Sequence, residues 1–182
     1  MKIIKWVLGI VVILSAGLVL LLGYAGMFAN VSVSEQKMGP YTFAYEDFTG
    51  PYQKTMPVFA DVTNILNAQG IRSEKGIGVY FDNPANVPAD KLRSYCGSII
   101  DEKDAPKADG LSQKIKIGRF AQSDCVVAEF PVKTTLSYMV GPMRVYPELA
   151  KYIIAKGYPM NEAYELYDMP NKKVYYIVRI GK

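Results

Sequence analysis

The chain has 182 residues, half of them hydrophobic, a length that suits one compact domain plus a membrane segment and leaves too little for two soluble domains. Its formal charge of +4 includes Lys2 and Lys5; the chain beyond these two lysines carries 19 basic against 17 acidic residues, too even for a nucleic-acid-binding surface. There is no histidine, and the two cysteines, Cys96 and Cys125, lie far apart, which excludes histidine-dependent triads, histidine-ligated zinc and CxxC redox motifs and leads us to expect no metal and no cofactor.

Residues 6–24 (WVLGIVVILSAGLVLLLGY) carry no charge. At about 1.5 Å per helical residue they match the ~30 Å apolar core of a bilayer. Trp6 and Tyr24 stand at the two ends, where interfacial aromatics belong. The sequence AGM at 25–27 and FAN at 28–30 fits a signal-peptide cleavage site poorly, so residues 1–28 are expected to be an uncleaved transmembrane anchor. Lys2 and Lys5 precede the segment, whereas Glu35 and Lys37 behind it cancel. The positive-inside bias then keeps the N-terminus cytoplasmic and exports the domain, and the bare anchor fits a bacterial inner membrane with the domain on the periplasmic side. Residues 29–40 read as a tether beginning with a small strand at 31–33. In an oxidising compartment Cys96 and Cys125 are either one disulfide or two separate small core residues.

From residue 41 to 182 the chain reads as one domain built twice. Gly50-Pro51, Pro57, Gly70 and the run VYFDNP at 79–84 recur, in the same order, as Gly141-Pro142, Pro147, Gly157 and ELYDMP at 165–170. In module one, about 41–100, a strand pattern at 41–47 leads to a helix in which Val58, Val62, Ile65 and Phe59, Leu66 recur at helical spacing. Pro57 sits near its start and Gly70 just past its end, and strands follow at 76–81 and 94–100. Residues 101–113 (DEKDAPKADGLSQ), charged and broken by Pro and Gly, are the expected linker. In module two, about 114–182, strand patterns at 125–130 and 134–140 precede a helix marked by Tyr146, Leu149 and Ile153. That helix is read from Pro147 to Gly157, about one turn shorter than its counterpart, and strands follow at 163–167 and 174–180. The expected fold class is α+β: a pseudo-twofold pair of strand-helix-strand-strand modules forming one antiparallel sheet, helices on one face and a cleft on the other, plus one N-terminal transmembrane helix.

One charge is out of place in this pattern. Glu165 stands in a strand that is otherwise apolar and aromatic. Alternation puts Glu165 and Tyr167 on one face and Tyr164 and Leu166 on the other, so that if Leu166 packs on the core the first pair lines the cleft. A desolvated carboxylate costs several kcal/mol or takes up a proton unless a partner is supplied, and a ligand can be that partner. The repeat aligns Val79 with Glu165 and Phe81 with Tyr167.

Three phrases carry a resemblance: the strand leading into Gly50-Pro51-Tyr52, the run GVYFDNPANVPADKLR at 78–93, and Glu165-Leu166-Tyr167. In this order they are similar to the GyrI-like family, which shares its domain with the effector-binding domains of AraC- and MerR-type regulators, and they cover about residues 41–180. The resemblance implies a pseudo-twofold pair of modules that binds small, often cationic and lipophilic molecules in the cleft between them, with a buried glutamate of the second module as charge partner. Glu165 takes that place, and Tyr167, Phe81 and Val79 are expected to face the cleft. A dry aromatic pocket holding a carboxylate suits a weakly hydrated organic cation.

The anchor-plus-domain layout, with FPVKTTLS at 130–137 and VYPEL at 145–149, also resembles the animal membrane-anchored reticulophagy receptor of the same family. Because the sequence stops at Lys182, that receptor's tail-dependent role is not expected, and with no helix-turn-helix ahead of the domain neither is the regulators' role. The expected function is a membrane-anchored binding module for a small hydrophobic or cationic ligand, with no catalytic residues. One alternative is a structural or protein-interaction domain in which Glu165 pairs with Lys172, Lys173 or Arg179. The other is a hydrolase of electrophilic small molecules with Glu165 as general base, which lacks the tryptophan of hydrolytic relatives because Trp6 lies in the membrane segment.

Overall fold

A computed structural model describes residues 2–108, 111 and 115–181. The first apolar run forms α1 (Lys2–Tyr24), long and apolar enough to cross a membrane. After it come β1 (Val33–Met38), β2 (Tyr41–Thr49), α2 (Met56–Ala68), β3 (Lys75–Tyr80), β4 (Arg93–Ile100), the short α3 (Ala105–Ala108), β5 (Lys116–Phe120), β6 (Ser123–Pro131), α4 (Ser137–Lys156), β7 (Ala163–Asp168) and β8 (Lys173–Arg179). The fold is α+β, with all eight strands in one curled antiparallel sheet of order β1-β6-β8-β7-β3-β4-β2-β5. Of the expected linker, residues 109, 110, 112 and 113 lie outside the described residues, as does residue 114 at the start of module two.

Each module lends its leading strand to the other. β1 comes just before module one yet pairs along its whole length with β6 of module two, while β5 leads into module two yet pairs with β2 of module one. Residues 33–38, within the stretch read as a tether, are thus a full strand of the sheet, and Met38 is buried. Residues 31 and 32 precede it.

Residues 134–140 are not a strand. Residues 134–136 turn into α4, where the Ser137 hydroxyl accepts from the backbone N–H groups of Lys133 and Thr134. The helix wins because Val140, Val145, Leu149 and Ile153 fall on one of its faces and are buried. It is therefore longer than α2 and not shorter, and both Pro142 and Pro147 lie inside it. Each proline removes a helical hydrogen bond, a local preference that burial of the apolar face overrides. The Gly-Pro landmarks consequently mark different structures. Gly50 follows a strand with φ of +147°, whereas Gly141 is packed in a helix where an added Cβ would lie 2.3 Å from the Tyr176 hydroxyl.

The helix ends do match. After α2, Gly70 donates to Asn67 O and Ile71 to Leu66 O; after α4, Gly157 donates to Ile154 O and Tyr158 to Ile153 O. Both glycines are left-handed, at φ +70° and +69°, so each helix closes in a Schellman motif.

Side chains divide into three cores. α4 covers Val126, Ala128, Phe130, Val174, Tyr176 and Val178 of β6 and β8. α2 covers Ala44 and Ile100 of β2 and β4 with Val62 and Leu66. The opposite face of the sheet packs Phe43, Ile77, Val79, Phe120, Val127, Leu166 and Ile177. Cys125 belongs to that opposite face, whereas Cys96, paired in register with Gly78 and Glu46, points to the helix side. The sheet separates the two thiols, and both are free.

Candidate functional site

The helices cover the two ends of the sheet and leave a seam over its central strands, β7 and β3. Alternation along β7 places Ala163, Glu165 and Tyr167 on this side, and the register Gly76↔Tyr167 and Gly78↔Glu165 puts two glycines opposite them. The glycines make room for rings. A Cβ on Gly78 would lie 2.8 Å from the Tyr80 ring, and one on Gly76 would lie 3.3 Å from the Tyr167 ring. Tyr80 therefore folds back over its own strand into the seam.

Glu165 is 5% exposed, and its carboxylate is held by phenols. Tyr146 of α4 donates to Oε1 at 2.6 Å and Tyr167 donates to Oε2 at 2.7 Å. Tyr80 and Tyr167 join hydroxyl to hydroxyl at 2.9 Å; since the Tyr167 proton is committed to Glu165, Tyr80 is the donor. Phe59 of α2 stands edge-on to Tyr167 at 5.4 Å between centroids, and Tyr138 of α4 lies 6.0 Å from the same ring. Both helices thus touch one tyrosine, whose hydroxyl touches the carboxylate.

Burial holds the Glu165 carboxyl above the ordinary glutamate value, and the bonds from Tyr146 and Tyr167 pull it part of the way back. The same burial, reinforced by the charge on Glu165, pushes the hydroxyls of Tyr80, Tyr146 and Tyr167 upward, so all three remain proton donors at neutral pH. Cys96, next along the row from Gly78, has its thiol pushed up to about 11 by burial.

Glu165 has no basic partner among the described residues. Lys173 pairs with Glu129 at 2.7 Å and Arg179 with Glu162, both away from the seam. The arrangement is an enclosed carboxyl group bonded to neutral phenol donors, whose nearest cover is tyrosine. Tyr80, Tyr146 and Tyr167 are themselves each half-buried. Two shallow depressions of about 350 and 340 Å³ lie elsewhere, one beside Arg179 and Glu162 and the other beside Ser34 and Lys173.

Of the residues expected in the site, Glu165 and Tyr167 are brought together and Val79 and Phe81 are not. Val79, 2% exposed, packs with Leu166 on the far side of the sheet, and Phe81, 38% exposed, lies against Tyr95 at 4.7 Å. The alignment of Val79 with Glu165 was off by one residue, and a shift of one in a strand changes the face. The residue pointing into the seam is Tyr80. Sequence reasoning also missed Tyr146, Gly76 and Gly78; the Gly-Ile-Gly alternation at 76–78, which strips one face of a strand, was the available signal.

No protein-family model matches the chain. Testis-expressed protein 264 of Homo sapiens is 36% identical over 168 residues, covering 86% of this chain and 52% of that protein. Its homologue in Mus musculus is 35% identical over 153 residues, covering 80% and 48%. The chain spans about half the length of the curated relatives it matches. These are animal proteins and give the expected bacterial location no support.

Among solved structures, the C-terminal domain of EcmrR has a similar fold, with a TM-score of 0.59 at 10% identity over 84% of this chain and 98% of that one. EcmrR in complex with DNA aligns at 0.58 and 12% identity, over 100% of this chain and 69% of that one. SAV2435 bound to tetraphenylphosphonium aligns at 0.52 and 15% identity, over 82% and 94%. These likenesses, all at 15% identity or below, show a shared fold.

Proposed function

We propose that this chain is a membrane-anchored module that binds a small hydrophobic or cationic molecule, with Glu165 as its charge partner and Tyr167 in the pocket wall. Residues 1–28 are the anchor, with the N-terminus cytoplasmic as Lys2 and Lys5 favour, and residues 41–182 are the binding domain. One observation carries the reading: a carboxylate in the middle of the sheet is desolvated and bonded only to neutral phenols. Such a group gains from any cation that can replace its missing counter-charge. A cation without N–H donors, spread over hydrophobic substituents, suits a site walled by ring faces better than an ammonium does. The tetraphenylphosphonium on a protein of similar fold is of this class.

The ligand enters by displacing tyrosine rings. Tyr80, Tyr146 and Tyr167 swing away, the carboxylate is exposed to the seam between α2 and α4, and Gly76 and Gly78 leave the floor bare beneath it. Tetraphenylphosphonium titrated into the detergent-solubilised full chain, read by calorimetry against a detergent blank, tests this. Binding is expected, with at least a tenfold loss of affinity in Glu165→Gln. Equal affinity in that variant removes Glu165 from the site. Absence of binding by tetraphenylphosphonium and by a panel of hydrophobic cations leaves the tyrosine–carboxylate cluster as a structural element.

A further inference from the structure

α1 does not hang on a slack tether. Ala25, one residue past its end, is fully buried against the α4 core. Gly26 lies so close to the Phe130 ring that a Cβ there would be 2.5 Å from it. Arg144 of α4 reaches the Ala29 carbonyl at 3.4 Å, and the Lys133 ammonium sits 5.7 Å from the centre of the Tyr24 ring. The 23 residues of α1 span roughly 34 Å at the helical rise, which uses up the apolar thickness of a bilayer. The domain therefore begins where the bilayer ends.

The same end of the domain holds the loop before α4 and the turn between β7 and β8. They are tied together: Val132 donates to the Lys172 carbonyl, and the Tyr138 hydroxyl lies 3.4 Å from the Met169 sulfur. The apolar side chains here face outward, with Phe28 69% exposed, Met139 61%, Met143 66% and Met169 55%. Lys133 and Lys172 are exposed beside them, and neither has an acidic partner among the described residues.

We propose that this end of the domain, carrying Phe28, Lys133, Met139, Met143, Met169 and Lys172, rests on the surface of the bilayer that α1 enters. Flexible, polarizable methionines accommodate the irregular acyl and glycerol level of a lipid surface. Lysines whose stems lie along apolar surface carry their ammonium groups to lipid phosphates. The contact continues α1 itself, so no second partner is required to cover the patch. It rests on the reading of α1 as a membrane span.

The methionines supply their own test. Met56, 66% exposed, and Met160, 61% exposed, match the others in accessibility but lie at the opposite end, beside the pairing of Tyr80 with Ala163. The full chain is reconstituted into vesicles of phosphatidylcholine and phosphatidylglycerol, treated with hydrogen peroxide, and each methionine sulfoxide is followed by peptide mass spectrometry. Oxidation of Met139, Met143 and Met169 at least three-fold slower than that of Met56 and Met160, unchanged on raising the lipid-to-protein ratio, is the expected result. Equal rates at all five, in a chain that resists alkaline extraction, overturn the proposal while leaving the anchor intact. Protection that disappears on dilution with lipid means that a second copy covers the patch, which also overturns it. A chain released by alkaline extraction removes the membrane reading and this inference with it.

Discussion

Module one and module two are built alike and loaded differently. Each is a strand, a helix and a two-strand return, each helix closes on a left-handed glycine, and each borrows its outermost strand from the other. At the seam between them module one contributes two bare glycines and Tyr80, whereas module two contributes Glu165, Tyr167 and Tyr146. A near-twofold scaffold thus encloses a one-sided charge. The symmetry creates the gap between the helices, and the asymmetry decides what occupies it.

The sharpest way to break the comparison is to empty one module's core and watch the other. Leu66→Ala under α2 and Leu149→Ala under α4 each remove a fully buried side chain and are expected to cost ~2–5 kcal/mol. Because the leading strands are exchanged, urea unfolding of either variant should remain a single transition; two separated transitions would show that the modules stand independently.

Smaller effects are expected at the seam. Tyr146→Phe leaves one carboxylate oxygen without its donor, at a cost of about 1–3 kcal/mol at neutral pH, whereas Tyr80→Phe, which frees only a phenol, should cost less than about 1.5 kcal/mol. Equal losses in urea denaturation would mean that the charge on Glu165 is not what the donors serve. Gly78→Ala drives a methyl into the Tyr80 ring and should cost ~1–3 kcal/mol, and Gly76→Ala, with more room, should lower the melting temperature less.

The pH dependence sharpens the contrast further. The Glu165 carboxyl is held above its unfolded value of about 4.3 by burial, so below that pH it is protonated in both states and carries no penalty. As the pH rises from there through the folded value, ionisation becomes costly in the folded state alone. Glu165→Gln should therefore match the parent near pH 4 and gain a few degrees in melting temperature over it toward neutrality. A gap that is constant with pH would mean the carboxyl titrates normally. The smallest expected effect is none: thiol reductants should leave stability unchanged, since Cys96 and Cys125 are free on opposite faces of the sheet.

Much of the architecture was legible because it depends on neighbours in sequence. Val58, Val62, Ile65 and Leu66 announced α2, and Gly70 and Gly157 announced where two helices stop, since only a residue without a side chain enters the left-handed region freely. The helical spacing of Tyr146, Leu149 and Ile153 was equally plain, but Pro142 and Pro147 hid how far back α4 extends. Proline reports a local cost, and the buried face that outweighs it is made by strands elsewhere in the chain.

Glu165 was legible as an anomaly, a charge among apolar neighbours, and the sequence by itself determined that it needed a partner. Which face it took relative to Val79, and that its partners are Tyr146, Tyr167 and, through Tyr167, Tyr80, was decided only in the tertiary structure. So was the exchange of β1 and β5. Pairing across some seventy to ninety-five residues leaves no periodic trace in either strand, because a hydrogen-bonded edge accepts any backbone. Local pattern sets what each segment becomes, and the competition to bury apolar faces sets what it meets.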